Sequence, residues 1–192
     1  SMFSQGVPFI HMGSELLRSK SFLRDSYDYG DWFNAVDFSM QSNNYNVGLP
    51  PAVKDENNWG VISTLLEKNE GRDHVSPEQI QYTAEIFMEW LKIRYSSPLF
   101  RLTTEQDIVA RVNFLNTGKT HTPGLIAMKL SDQVSGDDLD SQYENIIVLF
   151  NNAVSPTSFS YEGAAGYSLH PVQKKSQDKL VREGAKANTS GF

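Results

Sequence analysis

Hydrophobic and polar positions divide the chain into three unequal zones. The first opens on Val7-Pro8-Phe9-Ile10-His11-Met12, a nearly continuous apolar run closed by Gly13 and Ser14. Such a run, bounded by glycine, is the pattern of a strand buried on both faces, as in a parallel sheet. Residues 15–18 can form one helical turn, yet no other segment reads as a βαβ partner for the strand. Residues 19–52 then lack clear periodicity, well beyond the roughly 15 residues at which an unstructured connection in a compact domain is usually functional or disordered. They carry Phe22, Tyr27, Tyr29, Trp32, Phe33 and Phe38, too many aromatic rings for simple disorder.

The second zone is helical. Asn57 or Asn58 is placed to cap a short helix running to about Lys68. Ser76-Pro77-Glu78-Gln79 then combines an N-cap serine, a proline at the first helical position and a glutamine at the third, a capping box with favoured proline placement. This helix is predicted to end near Tyr95, before Pro98. Ile80, Ala84, Phe87 and Leu91 form one apolar stripe, and Tyr82, Ile86 and Ile93 a second, which predicts a helix covered on two sides. The third zone is β-rich. After a capped turn at Thr104-Glu105-Gln106-Asp107, segments 110–116, 124–131, 145–151, 157–161 and 167–173 are separated by glycine- and aspartate-containing turns, which predicts an antiparallel sandwich. Beyond Lys174 the chain is polar, and it stops at Gly191-Phe192, in what reads as part of another strand.

Composition narrows the possible chemistry. At 39% hydrophobic and 21% charged residues, the chain has the make-up of a globular protein. Seventeen Lys and Arg against 23 Asp and Glu give a net charge of −6, with no basic cluster to displace the counterions of a nucleic acid. The absence of cysteine removes disulfides, thiolate zinc sites and cysteine nucleophiles. No apolar run approaches the roughly 20 residues of a membrane span. Ser1 ahead of Met2 reads as a cloning remnant, so a leader could have preceded it. His11, His74, His121 and His170 lack metal-ligand spacing, and Asp132, Asp137, Asp138 and Asp140 read as a solvated hairpin loop rather than an EF-hand. Neither a G-x-S-x-G elbow nor a glycine-rich phosphate loop is present.

The first-zone loop differs. Arg24-Asp25-Ser26-Tyr27-Asp28-Tyr29-Gly30-Asp31-Trp32-Phe33-Asn34 concentrates carboxylates, an arginine, an amide and aromatic rings. Aromatic faces cover the C–H surfaces of sugars, while carboxylates and amides bond vicinal hydroxyls. Carbohydrate binding is one reading. An aromatic mini-core pinning a long loop, with its charges outside, is the other.

The run Gly6-Val7-Pro8-Phe9-Ile10-His11-Met12-Gly13-Ser14-Glu15-Leu16-Leu17-Arg18-Ser19-Lys20-Ser21 resembles the eighth barrel strand and following loop of bacterial pullulanase-type α-1,6-glucosidases, debranching enzymes of the α-amylase superfamily. The resemblance continues through Asp25-Ser26-Tyr27-Asp28, Gly30-Asp31-Trp32-Phe33-Asn34, Asn46-Val47-Gly48-Leu49-Pro50, Arg94-Tyr95-Ser96-Ser97-Pro98-Leu99-Phe100-Arg101-Leu102 and Leu169-His170-Pro171-Val172-Gln173. It implies an α/β fragment, the last strand, loop and helices of a (β/α)8 barrel over residues 2–95. An all-β antiparallel sandwich, truncated at its end, follows over residues 96–192. It implies glucan contacts through Asp25 and Tyr27, with Arg24 and Asp31 as weaker candidates, on the catalytic face of the barrel.

Retaining glycosidases need a nucleophile and an acid about 5–5.5 Å apart. In this superfamily both carboxylates, and a third aspartate in a His-Asp pair, come from earlier barrel strands, and this chain has no His-Asp dipeptide. Phe22-Leu23-Arg24-Asp25 superficially resembles the family's nucleophile motif but follows the wrong strand, and Glu15 reads as a loop anchor. The expectation is therefore a segment of an enzyme that hydrolyses α-1,6 branch points in pullulan or limit dextrins, without catalytic residues or activity of its own. A stand-alone carbohydrate-binding module and a purely structural sandwich are the alternatives. Trp32, Trp59 and Trp90 all lie outside the β zone, which counts against a binding sandwich. No cofactor is expected, although calcium is possible in the full enzyme. The expected partner, in the full enzyme, is an α-glucan such as pullulan or limit dextrin, with no nucleic acid and no membrane span. The resemblance alone implies an extracellular or cell-surface location. A barrel strand cut from its neighbours exposes both edges and both faces, so either residues 7–12 are expected to mediate self-association or residues 1–50 to be disordered.

Overall fold

The computed structural model describes residues 1–119 and 121–192, which form two compact units: residues 10–87, and residues 1–9 with 88–192.

In the first unit, a 3-10 turn at Ser14–Leu16 follows Gly13, whose φ of 89° lets the chain reverse. The Glu15 carboxylate accepts the Gly13 N–H at 3.1 Å, the anchoring role expected of it. Helix α1 (Gly30–Asn34), the one-turn α2 (Ala52–Asp55) and α3 (Trp59–Asn69) follow. Then comes α4 (Pro77–Ser96), whose later residues belong to the second unit. The capping box forms as predicted: Gln79 N–H donates to Ser76 Oγ at 3.3 Å, and Ser76 N–H to Gln79 Oε1 at 2.9 Å. Ile80 and Ala84 pack with Leu16 in a small core flanked by Val36, Met40 and Val75.

The second unit opens with a latch. Arg94, on the last turns of α4, is 7% exposed and donates to three backbone carbonyls: Met2 at 2.9 Å, Ser4 at 2.8 Å and Gly6 at 2.7 Å. Gln5 adds a reciprocal pair, donating to the Leu99 carbonyl at 2.8 Å and accepting the Leu102 N–H at 3.0 Å. Burial and the nearby Arg101 lower the Arg94 pKa. Ser97 caps the 3-10 turn Pro98–Arg101 and also bonds Asp140. Thr104 caps α5 (Glu105–Arg111), accepting the Asp107 N–H at 3.1 Å.

Strands β1 (Val112–Phe114), β2 (Leu125–Ser131) and β3 (Asn145–Asn151) make an antiparallel meander in register Val112↔Leu130↔Ile146. Alternate residues on one face, among them Met128, Leu130 and Val148, pack on Leu99, Phe100 and Ile93 to form the main core. Burying each such side chain contributes about 1.5–3 kcal/mol. Short helix α6 (Lys179–Gly184) is capped by Asp178.

Three expectations need correction. Residues 7–12 form no strand; Val7 and Phe9 are 80% and 90% exposed, because no described strand lies beside them to supply a ladder. Residues 157–161 add no strand to the sheet. Phe159 instead exchanges two backbone bonds with Phe192, at 2.9 and 3.0 Å, so the expected strand character at the end of the chain takes the form of an isolated bridge. Residues 167–173 turn rather than extend: Pro171 has no N–H to give, Val172 N–H goes to the His170 ring, and Lys174 N–H goes to the His170 carbonyl. The described sheet thus has three strands.

Candidate functional site

The loop carrying the candidate residues is held by polar side chains more than by an aromatic core. Ser21 and Phe22 both adopt positive φ, 47° and 68°, a conformation that costs non-glycine residues free energy and needs outside support. Ser21 is fully buried; its Oγ donates to the Gly48 carbonyl at 2.7 Å and accepts the Val47 N–H at 3.0 Å, tying the two ends of the loop together. Buried Ser26 takes a bond from Lys20 Nζ at 2.7 Å and gives one to Asn34 Oδ1 at 2.9 Å, while Asn34 Nδ2 returns to the Ser26 carbonyl at 2.8 Å. Phe33 is buried and Phe22 meets Tyr45 edge-on at 5.3 Å, but Tyr27, Trp32 and Phe38 stand in solvent. The mini-core reading therefore accounts for only part of the aromatic content.

On this frame the candidate residues separate. Arg24 Nε and Nη2 bond both carboxylate oxygens of Asp55, at 3.2 Å from Nε and 2.7 Å from Nη2 to Oδ1. Asp55 is buried on α2 and takes a further bond from Asn58. The Arg24 hydrogen bond lowers the Asp55 pKa, and the same bond raises that of Arg24. Asp25 accepts Lys54 Nζ at 3.1 Å on Oδ2 and the Tyr27 N–H at 3.4 Å on Oδ1. The lysine bond, then the Tyr27 N–H, holds the Asp25 carboxyl below its ordinary range. Tyr27 is 97% exposed. Asp31 sits in the exposed first turn of α1, apart from the Asp25–Lys54 contact.

Leu23, Arg24, Asp25, Lys54 and Asp55 line a cleft of about 260 Å³. That is below the roughly 300 Å³ at which small-molecule pockets begin, so the cleft can take part of a ligand but does not enclose one. Lys54 and Asp55 are the members that the sequence did not single out.

The acidic loop between β2 and β3 is filled by protein. Buried Arg111 pairs with Asp132, with Asp107 at 3.3 Å, and with the Asp137 carbonyl at 2.6 Å. Asp132 also accepts the N–H groups of Leu139 and Asp140 at 2.9 and 2.8 Å. Asp140 is spent on Ser97 and on the N–H groups of Gln142 and Tyr143. The hairpin loop is solvated at Asp137 and Asp138, as expected, while Asp132 turns inward onto the Arg111 guanidinium and Asp140 is buried. Among the described residues, no group of three or more acidic or histidine side chains is arranged to hold a metal ion.

Residues 40–192 match the family described as alpha-1,6-glucosidases, pullulanase-type, C-terminal. The chain belongs to this family. It is 45% identical to Pullulanase 1, chloroplastic, of Arabidopsis thaliana, over 98% of this chain and 20% of that protein. With the pullulanase of Klebsiella pneumoniae it shares 37% identity over 99% of this chain and 17% of the relative. The solved apo pullulanase of Klebsiella pneumoniae superposes with a TM-score of 0.79 at 40% identity, over 91% of this chain and 19% of that one. The maltotriose complex of PulA from the same organism gives 0.79 and 40%, over 91% and 18%. This member of the pullulanase-type family thus spans about a fifth of the length of these relatives. Its helices and three-stranded antiparallel sheet match the corresponding region of the Klebsiella structures.

Proposed function

We propose that this chain is a segment of a glycoside hydrolase that cleaves α-1,6-glucosidic branch points in pullulan and limit dextrins. Residues 2–95 form the end of its (β/α)8 barrel and residues 96–192 its C-terminal β-sandwich. The loop that carries Asp25 and Tyr27 contacts the glucan, with Arg24 and Asp31 in lesser roles. The catalytic carboxylates lie elsewhere in the longer enzyme, so the segment alone is inactive.

The observation that carries this reading is the Tyr27 ring, fully open to solvent in a stretch of chain where Lys54 holds the carboxylates of Asp25 and Asp28. A free aromatic face beside hydroxyl-accepting groups suits a sugar ring. The exposure of Val7 and Phe9 supports the barrel reading, since neighbouring barrel strands would cover them. In isolation, residues 7–12 would pair with a second copy instead. Light scattering would then find an oligomer that Phe9→Lys disperses, and a monomeric parent chain would contradict this point.

The deciding experiment measures reducing-sugar release from pullulan by the full-length gene product, by its Asp25→Ala and Tyr27→Ala variants, and by this chain alone. The full-length enzyme is expected to cleave, each variant to raise KM, and the chain alone to release nothing. Cleavage by the chain alone, or unchanged KM in both variants, overturns the assignment.

A further inference from the structure

Two adjacent residues of α2, Lys54 and Asp55, meet two adjacent residues of the loop, Arg24 and Asp25, with the charges crossed. Arg24 pairs with Asp55 at 2.7 Å and Lys54 with Asp25 at 3.1 Å. Lys54 reaches further: its Nζ lies 2.9 Å from Asp28 Oδ1 and 5.1 Å from the centre of the Tyr29 ring. One ammonium thus gathers both carboxylates that flank Tyr27, with an aromatic face beneath it. A single exposed ion pair contributes little, because two flexible side chains must be ordered for one contact. Here one cation serves three partners, and its side chain is only 25% exposed. Both oxygens of Asp25 are directed, one by Lys54 and one by the Tyr27 N–H. From the other side, Ser26 is fixed by Lys20 and Asn34. Residues 25–28 are therefore pinned at every position except the Tyr27 side chain.

We propose that Lys54 is a positioning residue for glucan recognition, holding in place the carboxylates of Asp25 and Asp28, which border Tyr27 in the chain. The proposal rests on the reading of Asp25 and Tyr27 as glucan contacts. Carboxylates fixed before the ligand arrives lose less freedom on binding, so the effect belongs in affinity rather than in the chemical step. The direction of the Asp25 shift agrees: the lysine bond is the largest influence keeping this carboxyl below its ordinary range. Asp28 and Asp25 together raise Lys54 in return.

The test uses the full-length enzyme on pullulan. Lys54→Met keeps the aliphatic stem and removes the charge. It is expected to raise KM about three- to tenfold with kcat within about twofold. The acid limb of kcat/KM is expected to move to higher pH as Asp25 relaxes toward its ordinary value. Lys54→Arg is expected to restore both. Asp25→Asn, run in parallel, reports on the underlying reading. If Asp25→Asn raises KM while Lys54→Met changes neither KM nor the acid limb, the positioning role is overturned and the glucan contact stands. If neither variant moves KM, the contact itself fails and the role of Lys54 with it. A loss of kcat and melting temperature that Lys54→Arg does not rescue shows a merely structural lysine and overturns the proposal. Should Lys54→Met fail to fold, Lys54→Gln, which still donates a hydrogen bond without the charge, is read for the same limb, and an unmoved limb overturns it.

Discussion

The backbone N–H of Val172 donates to Nδ1 of His170 across 3.2 Å. A ring nitrogen that accepts carries no proton, so this imidazole is neutral with its hydrogen on Nε2, 3.1 Å from Ser96 Oγ and 3.3 Å from the Tyr143 hydroxyl. Tyr143 also stacks on the ring at 5.7 Å. His170 in this way joins the end of α4, the approach to β3 and the turn that replaces a predicted strand.

Burial pushes the His170 pKa below its ordinary value. On acidification the unfolded chain takes up this proton near pH 6.5, before the folded chain does. The stabilisation is therefore complete above that pH and is lost as pH falls through it toward the lower folded value. Urea midpoints at about pH 7.5 and about pH 5.5 should fall on acidification, and His170→Asn should flatten the slope. An identical slope in the variant would remove His170 as the cause.

Arg111 and Asp132 have side chains 2% and 5% exposed. Replacing Arg111 by Met leaves Asp132 buried without its cation, at a cost of about 3–5 kcal/mol. Asp132→Asn should cost less, because Arg111 keeps Asp107 and the Asp137 carbonyl while the amide oxygen still accepts N–H groups. Chemical denaturation ranks the two, and equal losses would contradict this division of roles.

Gly191 has a φ of 154°, and a Cβ there would come within 2.0 Å of the Phe159 carbonyl oxygen. Gly191→Ala should therefore part the Phe159–Phe192 bridge and open the cluster in which Tyr167 meets Tyr161 and Phe192 edge-on. Burial first, and the hydrogen bond with Tyr161 second, push Tyr167 up to about 12. Absorbance titration should show more tyrosinate in the variant than in the parent at about pH 11. Superimposable curves would mean that the cluster survives.

At the start of α4, Ser76→Ala and Gln79→Ala should each destabilise by about 0.5–2 kcal/mol. Their double mutant should lose less than the sum, because each side chain caps the other's N–H. Strict additivity in a double-mutant cycle would show that the two caps act independently.

Local signals were the legible ones. Helix α4 was readable because its serine, proline and glutamine act within four residues of one another. Strands β2 and β3 were readable because their apolar character is continuous between turn residues. Residues 167–173 misled, since their apolar content fits a strand while His170 captures the backbone donors locally. The exposed run at residues 7–12 misled differently, because a buried-strand pattern describes surroundings that the described residues do not supply. Asp25 and Tyr27 stood out by residue type and by resemblance. Lys54, Asp55 and Arg111 did not, because a lone charge in a polar stretch looks solvated until its partners, 21–31 residues away, fold against it.

Every partner of the Arg94 guanidinium in the latch on residues 2–6 is a main-chain oxygen. The arginine therefore reads the path of the chain and is blind to the side chains at positions 2, 4 and 6. No side chain at these positions is a direct partner of Arg94, whereas a single inserted or deleted residue shifts two of the three carbonyls out of reach. Over evolutionary time Arg94 thus fixes the length of this stretch, while its spelling is held elsewhere, by the Gln5 bonds to Leu99 and Leu102 and by the φ of 81° at Gly6.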